Sequence, residues 1–269
     1  MSLLAVEELS VTYQSCATAV KAVNRVSFAI APGEVLALVG ESGSGKSSVA
    51  LALTRLLPSP PAKVSGRVEF HGMELLTASE DQLRSVRGGK ISYVFQDPAT
   101  SLNPVLTIGE QLMEAIMWHA GADCREAKRL AVEWLERVGI ASAAARHQAY
   151  PHEFSGGMQQ RTMLAMAMAT RPALLIADEP TTALDVTVQV HILRLIRDLQ
   201  RTYRVAVLLI SHDLMVVQRM ADRVGVMAAG SLVELGAAAQ VLRAPAHPYT
   251  KSLLASQAMM RLPEPDANA

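Results

Sequence analysis

Residues 40–47 read Gly-Glu-Ser-Gly-Ser-Gly-Lys-Ser, the eight-position pattern of a phosphate-binding loop with Lys46 in the lysine position. The apolar run Val35–Val39 before the loop predicts a buried strand, and residues 48–57 after it predict a helix ended by Pro58. Glycines let backbone N–H groups turn towards phosphate oxygens, and the N-terminus of the following helix adds a partial positive charge. This order of strand, loop and helix predicts a nucleotide-binding site.

The loop predicts a role for several of its residues. Lys46 would reach the β- and γ-phosphates, and the Ser47 hydroxyl would hold Mg²⁺. Further nucleotide contacts are predicted at Gly40, Ser42, Gly43, Gly45 and Ser48. A merely flexible turn is the alternative, but the filled fixed positions and their flanking elements favour a phosphate site. The loop does not name the reaction, because kinases, motors, GTPases and transporters share it.

Composition narrows the class of protein. The chain has 269 residues, half of them hydrophobic, which leaves room for a nucleotide domain and an inserted subdomain. Lys plus Arg equals Asp plus Glu at 25 each, so there is no overall basic field to suggest a nucleic-acid partner. Cys16 and Cys124 match neither a zinc spacing nor a disulfide framework, and we interpret both as ordinary thiols in a reducing cytosol.

The sequence predicts no direct insertion into a membrane. Its N-terminus lacks the basic region and long apolar stretch of a secretory signal. No apolar run approaches the ~18 residues needed to cross a bilayer. We therefore expect any membrane role to come through a partner.

Alternating strand-like and helix-like segments predict an α/β fold: a P-loop NTPase (RecA-like) with a mostly parallel sheet, a small antiparallel β-layer and an inserted helical subdomain. We predict four parts along the chain. They are the β-layer and P-loop part of the core (3–97), the helical subdomain with a Ser-Gly-Gly element (98–170), the rest of the core (171–240) and a weakly patterned C-terminal tail (241–269).

Asp178 and Glu179 follow the predicted strand 173–177. An acidic residue there can hold Mg²⁺, and a second carboxylate beside it can polarise the water that attacks a γ-phosphate. Taken alone, Asp-Glu-Pro after a strand is more typical of a solvated turn. Its position after the glycine loop and before residues 181–185, Thr-Thr-Ala-Leu-Asp, favours a catalytic pair and predicts hydrolysis.

A second glycine-rich element, residues 154–161, reads Phe-Ser-Gly-Gly-Met-Gln-Gln-Arg and leads into a helix-like run. The helix start after Ser155, Gly156 and Gly157 is an anion site by the same dipole argument. A plain N-cap, in which Ser155 accepts a backbone N–H, is the alternative. One nucleotide needs one phosphate loop, so a self-contained site leaves this element without a role.

Six motifs in this order resemble the ATP-binding subunit of an ATP-binding-cassette (ABC) transporter, over about residues 3–255. They are Gly40 to Ser47, Gln96, Phe154 to Gln159, Leu174 to Glu179, Ala183-Leu-Asp185 and His212. The Phe-Ser-Gly-Gly-Met form differs at two positions from the commoner Leu-Ser-Gly-Gly-Gln. The resemblance implies ATP and Mg²⁺ as cofactors, and a head-to-tail pair in which each P-loop closes against the Ser-Gly-Gly element of a second ATP-binding subunit.

The resemblance also implies roles for single residues. His212 would contact the γ-phosphate and orient the attacking water or Glu179, and Gln96 would link the γ-phosphate and Mg²⁺ to the helical subdomain. Asp185 is implied as a nucleotide-site residue. Ser47, Gln96 and Asp178 form the implied metal set. Tyr13 would stack on adenine, although by its residue type alone it is as typical of plain core.

The other histidines that we single out have no implied role. His71, His119, His147 and His152 are predicted to be surface residues, because a lone histidine at a loop is usually exposed.

Three further stretches resemble the importers of dipeptides, oligopeptides, nickel and related solutes. They are Gln96-Asp-Pro-Ala-Thr-Ser-Leu-Asn-Pro104, Tyr150-Pro-His-Glu-Phe154 and His247-Pro-Tyr-Thr-Lys-Ser-Leu-Leu254. The last is also consistent with a loop and a terminal helix alone. This branch often pairs two different ATPase subunits, so the resemblance leaves both a homodimer and a heterodimer open. With no cysteine after Cys124, we predict no C-terminal iron–sulfur cluster.

The hypothesis that follows is an ATPase on the cytoplasmic face of a bacterial inner membrane. It would drive uptake of peptides or a related solute, such as nickel, through two membrane permease subunits served by a periplasmic or extracellular solute-binding protein. A soluble ABC ATPase acting on DNA or ribosomes is the alternative, but it usually has long coiled-coil insertions or two cassettes. A small-molecule P-loop kinase would give the Ser-Gly-Gly element no role.

Overall fold

The structure, a computed structural model, describes residues 2–14, 18–181 and 184–259. Cys16, Ala183 and the prolines Pro263 and Pro265 of the predicted tail lie outside the described residues. Among the described helices, none is long and apolar enough to cross a membrane.

Within the part of the chain that the structure describes, ten strands form two sheets. The smaller sheet is antiparallel, in the order β2-β1-β4-β5, and the larger has six strands in the order β10-β9-β3-β8-β7-β6. In the larger sheet β3, β6, β7, β8 and β9 run parallel, and only β10 pairs antiparallel. The strands are β1 (Leu4–Gln14), β2 (Ala19–Ile30), β3 (Val35–Val39), β4 (Ala62–Phe70), β5 (Met73–Glu74), β6 (Ile91–Val94), β7 (Leu174–Asp178), β8 (Ala206–Ile210), β9 (Arg223–Ala228) and β10 (Ser231–Ala237).

Eleven α-helices occur in the described residues. They are α1 (Lys46–Leu53), α2 (Glu80–Val86), α3 (Pro98–Ser101), α4 (Ile108–Ala120), α5 (Cys124–Arg137), α6 (Ala143–Arg146), α7 (Gly156–Ala169), α8 (Val186–Tyr203), α9 (Leu214–Met220), α10 (Ala238–Arg243) and α11 (Pro248–Met259), with a 3₁₀ turn at Pro151–Glu153. Helices α3 to α7 fill the segment between β6 and β7. The predicted mostly parallel sheet, antiparallel layer and helical insertion are confirmed.

The central strands are buried on both faces, which explains their continuous apolar sequence. Along β3, Leu36 and Leu38 pack into one core with the antiparallel sheet and α1. The alternate residues Val35, Ala37 and Val39 pack into a second core with the helical insertion, α8 and α9. Because strand side chains alternate in direction, the same sheet contributes to both cores. Packing on both faces fixes the strand ends on which the site is built.

Helix α1 ends earlier than the sequence predicted. It stops at Leu53 rather than at Pro58, and Arg55 adopts a left-handed backbone with φ 52°. The Arg55 amide donates to the Ala52 carbonyl at 3.1 Å, and the Leu56 amide donates to the Leu51 carbonyl at 2.9 Å. This pair of bonds is a Schellman motif, which ends the helix before proline has any effect.

The C-terminal segment after residue 240 is helical in its described part. Helix α10 continues to Arg243, and α11 begins at Pro248, a residue that suits the first helical turn. Leu253 of α11 is buried in the second core. This agrees with the loop and terminal helix that residues 247–254 allow.

His147 is not a surface residue as predicted. It is only 7% exposed, and its ring lies where a Cβ on Gly109 would fall, 2.2 Å from ring carbon Cδ2. The missing side chain at Gly109 makes room for the imidazole at the start of α4. Sequence could not show this, because the two residues are 38 positions apart. His71 and His152 are exposed, as predicted, and His119 is half-buried.

Candidate nucleotide site

The loop between β3 and α1 has the backbone that its glycines allow. Gly45, the N-cap of α1, has φ 101°, and a Cβ there would lie 2.3 Å from the Ala22 carbonyl oxygen. A Cβ on Gly40 would lie 2.3 Å from the Met227 carbonyl oxygen. Only glycine fits either position, because larger residues would meet rigid backbone. The loop is therefore held between β2 and β9.

Lys46 lies inside this loop and is 4% exposed. Its ammonium donates to the Gly40 carbonyl at 2.9 Å, the Glu41 carbonyl at 2.8 Å and the Ser44 hydroxyl at 3.3 Å. Burial lowers its pKa, and the nearby carboxylates of Glu179 and Asp178 oppose that shift. A buried ammonium with only neutral acceptors in hydrogen-bond contact is placed to attract an anion.

Asp178, the last residue of β7, connects the loop to the sheet. Its carboxylate accepts from the Ser47 hydroxyl at 3.1 Å and from the Tyr93 hydroxyl at 2.9 Å. Burial raises the pKa of Asp178, and burial together with this carboxylate raises the pKa of Tyr93. Sequence reasoning missed Tyr93, because a tyrosine in the middle of a strand carries no motif.

Glu179 follows Asp178 with a left-handed backbone, φ 46°, which is rare for a residue with a side chain and typical of functional turns. Its amide donates to the Ile210 carbonyl at 2.9 Å, which ties it to the end of β8. Its carboxylate accepts from the Gln96 amide at 3.0 Å and lies 3.3 Å from His212 Nδ1. The structure thus brings together three side chains that are far apart in sequence.

A cavity of about 370 Å³ lies in front of these groups. It is lined by Ala22, Ser42, Gly43, Gly45, Lys46, Ser47, Ser48, Gln96 and Glu179. Ala22 of β2 was not predicted. Tyr13 does not line this cavity; its hydroxyl lies 3.2 Å from the Ser48 hydroxyl, and the ring packs partly against the first core. Its expected adenine contact stays a prediction.

Residues 155–157, the signature loop, lie apart from this cavity. The Ser155 hydroxyl accepts from the Met158 amide at 3.4 Å, so it caps α7 as the plain interpretation expected. Ser155 and Gly156 are nevertheless exposed, with a Cβ on Gly156 only in ordinary contact with Leu184, 3.6 Å away. Among the described residues, no member of the signature loop lines the cavity around Lys46.

Two glutamines to which the sequence analysis gave no role, Gln159 and Gln189, hold the loops before α7 and α8. Gln159 donates to the carbonyls of Pro151 (2.8 Å) and Phe154 (3.3 Å). Gln189 donates to the carbonyls of Thr181 and Leu184, both at 3.1 Å. Both occupy the fourth helical position, so a glutamine four residues after a capping Ser or Asp is the sequence signal. Asp185 provides that cap on α8 and accepts from the Val188 amide at 3.0 Å.

The fold and this cleft define a P-loop nucleotide-binding protein of the α/β class, with a helical insertion that presents a second glycine-rich helix start. The family model described as ABC transporter matches residues 23–182, more than half of the chain. The chain belongs to the ABC transporter family. The predicted family and fold class are confirmed.

Curated relatives cover almost all of the chain. It is 51% identical over 268 residues to the uncharacterized ABC transporter ATP-binding protein YejF of Escherichia coli, covering 98% of this chain and 51% of that protein. It is 47% identical to the dipeptide transport ATP-binding protein DppD of Escherichia coli, covering 94% of this chain and 78% of that protein. The chain thus spans about half the length of YejF and most of DppD.

Solved structures share the fold. The dimeric ATP-binding cassette MJ0796, bound to ADP and Pi, is 27% identical with a TM-score of 0.77, covering 87% of this chain and 98% of that one. The cbiO1 protein of Clostridium perfringens, described as part of the ABC transporter complex cbiONQ, is 26% identical with a TM-score of 0.74, covering 97% of this chain and 96% of that one.

Proposed function

We propose that the chain hydrolyses ATP, with the Glu179 carboxylate polarising the water that attacks the γ-phosphate. The observation that carries this is the convergence of Gln96 and His212 on Glu179 beside the buried Lys46. A carboxylate held by an amide donor and an imidazole has a fixed direction, as a water-orienting group requires. His212 orients Glu179 or the water, and Lys46 binds the β- and γ-phosphates.

The residues around Asp178 fit Mg²⁺. Ser47 and Asp178 offer a hydroxyl and a carboxylate oxygen 3.1 Å apart, and the Gln96 amide oxygen adds a third ligand type that suits this hard cation. Among the described residues no group of three His, Cys, Asp or Glu could hold a metal. A site of few protein oxygens completed by phosphates is typical of Mg²⁺ in nucleotide enzymes. When bound, the ion would neutralise charge on the phosphates.

The signature loop supports a paired site. Its exposed Ser155 and Gly156 do not reach the cavity of their own chain, yet a helix N-terminus with free N–H groups suits a phosphate. A second cassette placed head to tail would bring its residues 155–157 to the γ-phosphate bound at Lys46. ATP then joins the two subunits, and hydrolysis releases them. The structure of MJ0796, a dimer of ATP-binding cassettes, supports pairing as such.

Glu179→Gln tests the role of the carboxylate. The change keeps the size and the contact to Gln96 but removes the charge, so ATP should still bind while turnover falls by about 10²-fold or more. Stopped turnover with retained binding should trap an ATP-bound dimer, measured by size-exclusion chromatography with light scattering.

Exposed Glu114→Gln in α4 is the matched control, because it lies outside the cavity and should turn over like the wild type. Wild-type turnover in Glu179→Gln would sink the assignment, whereas loss of ATP binding would show that the variant acts on binding instead.

The relatives support transport as the purpose of this cycle. DppD and the oligopeptide transport ATP-binding protein OppD of Bacillus subtilis, 48% identical, are named for peptide transport. We propose that this chain drives uptake of peptides or a related small solute through two membrane permease subunits, as a peripheral protein on the cytoplasmic face of a bacterial inner membrane. A solute-binding protein outside that membrane would deliver the solute.

Co-purification after mild solubilisation checks the transport proposal. Two multi-span membrane proteins should be recovered with the tagged chain. Recovery of ribosomes or DNA instead would contradict transport, while leaving the ATPase assignment intact.

A further inference from the structure

A second cavity, of about 310 Å³, lies between α8 and α9, away from the nucleotide cleft. It is lined by Val190, Leu193, Arg194, Arg197, Arg219 and Met220, which we name the arginine groove. The four α8 residues recur at positions i, i+3, i+4 and i+7, so they share one face of the helix. An apolar floor and a cationic rim thus meet on two neighbouring helices.

The cations of the groove lack acidic partners. Among the described residues, no carboxylate lies within 4.0 Å of Arg194, Arg197 or Arg219, and no acidic residue lines the groove. Arg197 donates to the Met220 carbonyl at the end of α9, which leaves Arg194 and Arg219 as the exposed pair. The whole chain is neutral, so three charges of one sign here are a local feature.

The chemistry of the lining suits an acidic peptide with an apolar side chain. Guanidinium groups pair with carboxylates through two parallel hydrogen bonds, and all three cations are arginine rather than lysine. Arg and Met are also the residue types enriched where proteins meet proteins, whereas Lys is depleted there. The floor formed by Val190, Leu193 and Met220 can take a large apolar side chain.

We propose that the arginine groove binds an acidic peptide segment of a partner protein, with one apolar side chain on the floor and flanking carboxylates on Arg194 and Arg219. The site is independent of ATP chemistry and does not rest on the function proposed above. Its position connects it to the nucleotide cleft: α9 follows His212, whose ring lies 3.3 Å from the Glu179 carboxylate, so an occupant would contact a helix that starts beside the cleft.

Fluorescence anisotropy on the full chain tests the proposal. The probes are labelled 12-residue amphipathic peptides with one leucine or phenylalanine flanked by glutamates. Matched peptides have glutamine in place of glutamate, or serine in place of the apolar residue. The glutamate peptide should bind the wild type at least tenfold more tightly than either matched peptide, and added salt should weaken it because the contacts are charged.

The double variant Arg194→Gln/Arg219→Gln should lose at least tenfold in affinity for that peptide. Both residues are exposed and outside the nucleotide cleft, so its ATP turnover should match the wild type and show that it is folded. Arg201→Gln is the control: it removes an exposed arginine of the same helix that does not line the groove, and it should leave peptide binding unchanged.

Three results would overturn the proposal. One is that no glutamate peptide distinguishes the wild type from the double variant. Another is that the double variant loses binding to phosphatidylglycerol vesicles but keeps its binding to the peptides, which would make the groove a lipid contact. The third is that the double variant changes the oligomeric state without nucleotide, which would make the occupant a second copy of the chain.

Discussion

Two glycine-rich helix starts in this protein differ in how much of a site each builds. The P-loop before α1 encloses a buried lysine, is fixed by backbone contacts to β2 and β9, and opens onto its own cavity. The signature loop before α7 is an exposed, side-chain-capped helix start outside that cavity. Similar sequences therefore give one preformed phosphate-binding loop and one exposed helix start, and the proposed pairing would place the second at the nucleotide of a partner subunit.

The difference comes from the surroundings rather than from the glycines. Gly45 has φ 101°, and a Cβ there would lie 2.3 Å from the Ala22 carbonyl oxygen. The fold of the chain itself therefore requires glycine at this position. Gly156 begins a regular helix, and a Cβ there would make only ordinary contact with Leu184. At Gly157 a Cβ would lie 2.7 Å from Val188 Cγ1, so the chain itself constrains that glycine. Gly156 is the position at which the chain does not require glycine, and this leaves room there for the partner phosphate of the proposed paired site.

Gly45→Ala should have the largest effect on nucleotide affinity, because it disrupts the preformed P-loop. A Cβ would collide with rigid backbone at a left-handed position, and strain of about 1–3 kcal/mol corresponds to a roughly 5- to 150-fold loss of nucleotide affinity. Isothermal titration with ATP measures it. Unchanged affinity would mean that the loop is less fixed than its contacts to β2 indicate.

Gly156→Ala should affect the signature loop and leave the P-loop unchanged. The backbone and the space accept alanine, so the thermal midpoint and the ATP affinity of the isolated chain should stay the same. The added methyl group would block close approach of a partner's γ-phosphate, so steady-state turnover and ATP-dependent dimer formation should fall by roughly tenfold, about 1.4 kcal/mol. Turnover at the wild-type rate would remove the support for a shared site.

Asp178→Asn should give the smallest effect on the fold, and in the stabilising direction. Burial raises the pKa of Asp178, so the folded state binds this proton more readily than the unfolded state, and the ionised carboxylate lowers stability at neutral pH. The cost is present above the folded pKa and disappears as the pH falls through it. Asparagine carries no such charge.

The measurement is the thermal midpoint without nucleotide or Mg²⁺. The variant should melt above the wild type at pH 7, and the gap should shrink as the pH falls towards 3.8, the ordinary value for an aspartate. A gap that grows in acid would contradict the sign of this argument. A higher thermal midpoint in the variant would show that the P-loop side of the site contains a buried charge that lowers stability. The signature loop contains no charged side chain.

Much of the fold could be predicted because its signals are local. Strand β7 occupies Leu174–Asp178, close to the predicted strand 173–177, and helix α8 occupies the amphipathic stretch Val186–Tyr203. Helix α1 was mispredicted at its C-terminus, since a left-handed Arg55 has no sequence signature and Pro58 was the visible stop. Helix α11 matches the terminal helix that residues 247–254 allowed, and it docks through Leu253 with Tyr249 and Leu254 packed against the same core.

The candidate site divides in the same way. The sequence by itself determined the P-loop, the adjacent carboxylates and the family, because each motif depends on residues that are neighbours along the chain. Only the tertiary structure decided that Gln96 and His212 meet at Glu179, that Tyr93 donates to Asp178, and that His147 fills the space beside Gly109. These contacts join distant strand ends and helices, and packing, rather than local spacing, brings them within hydrogen-bond distance.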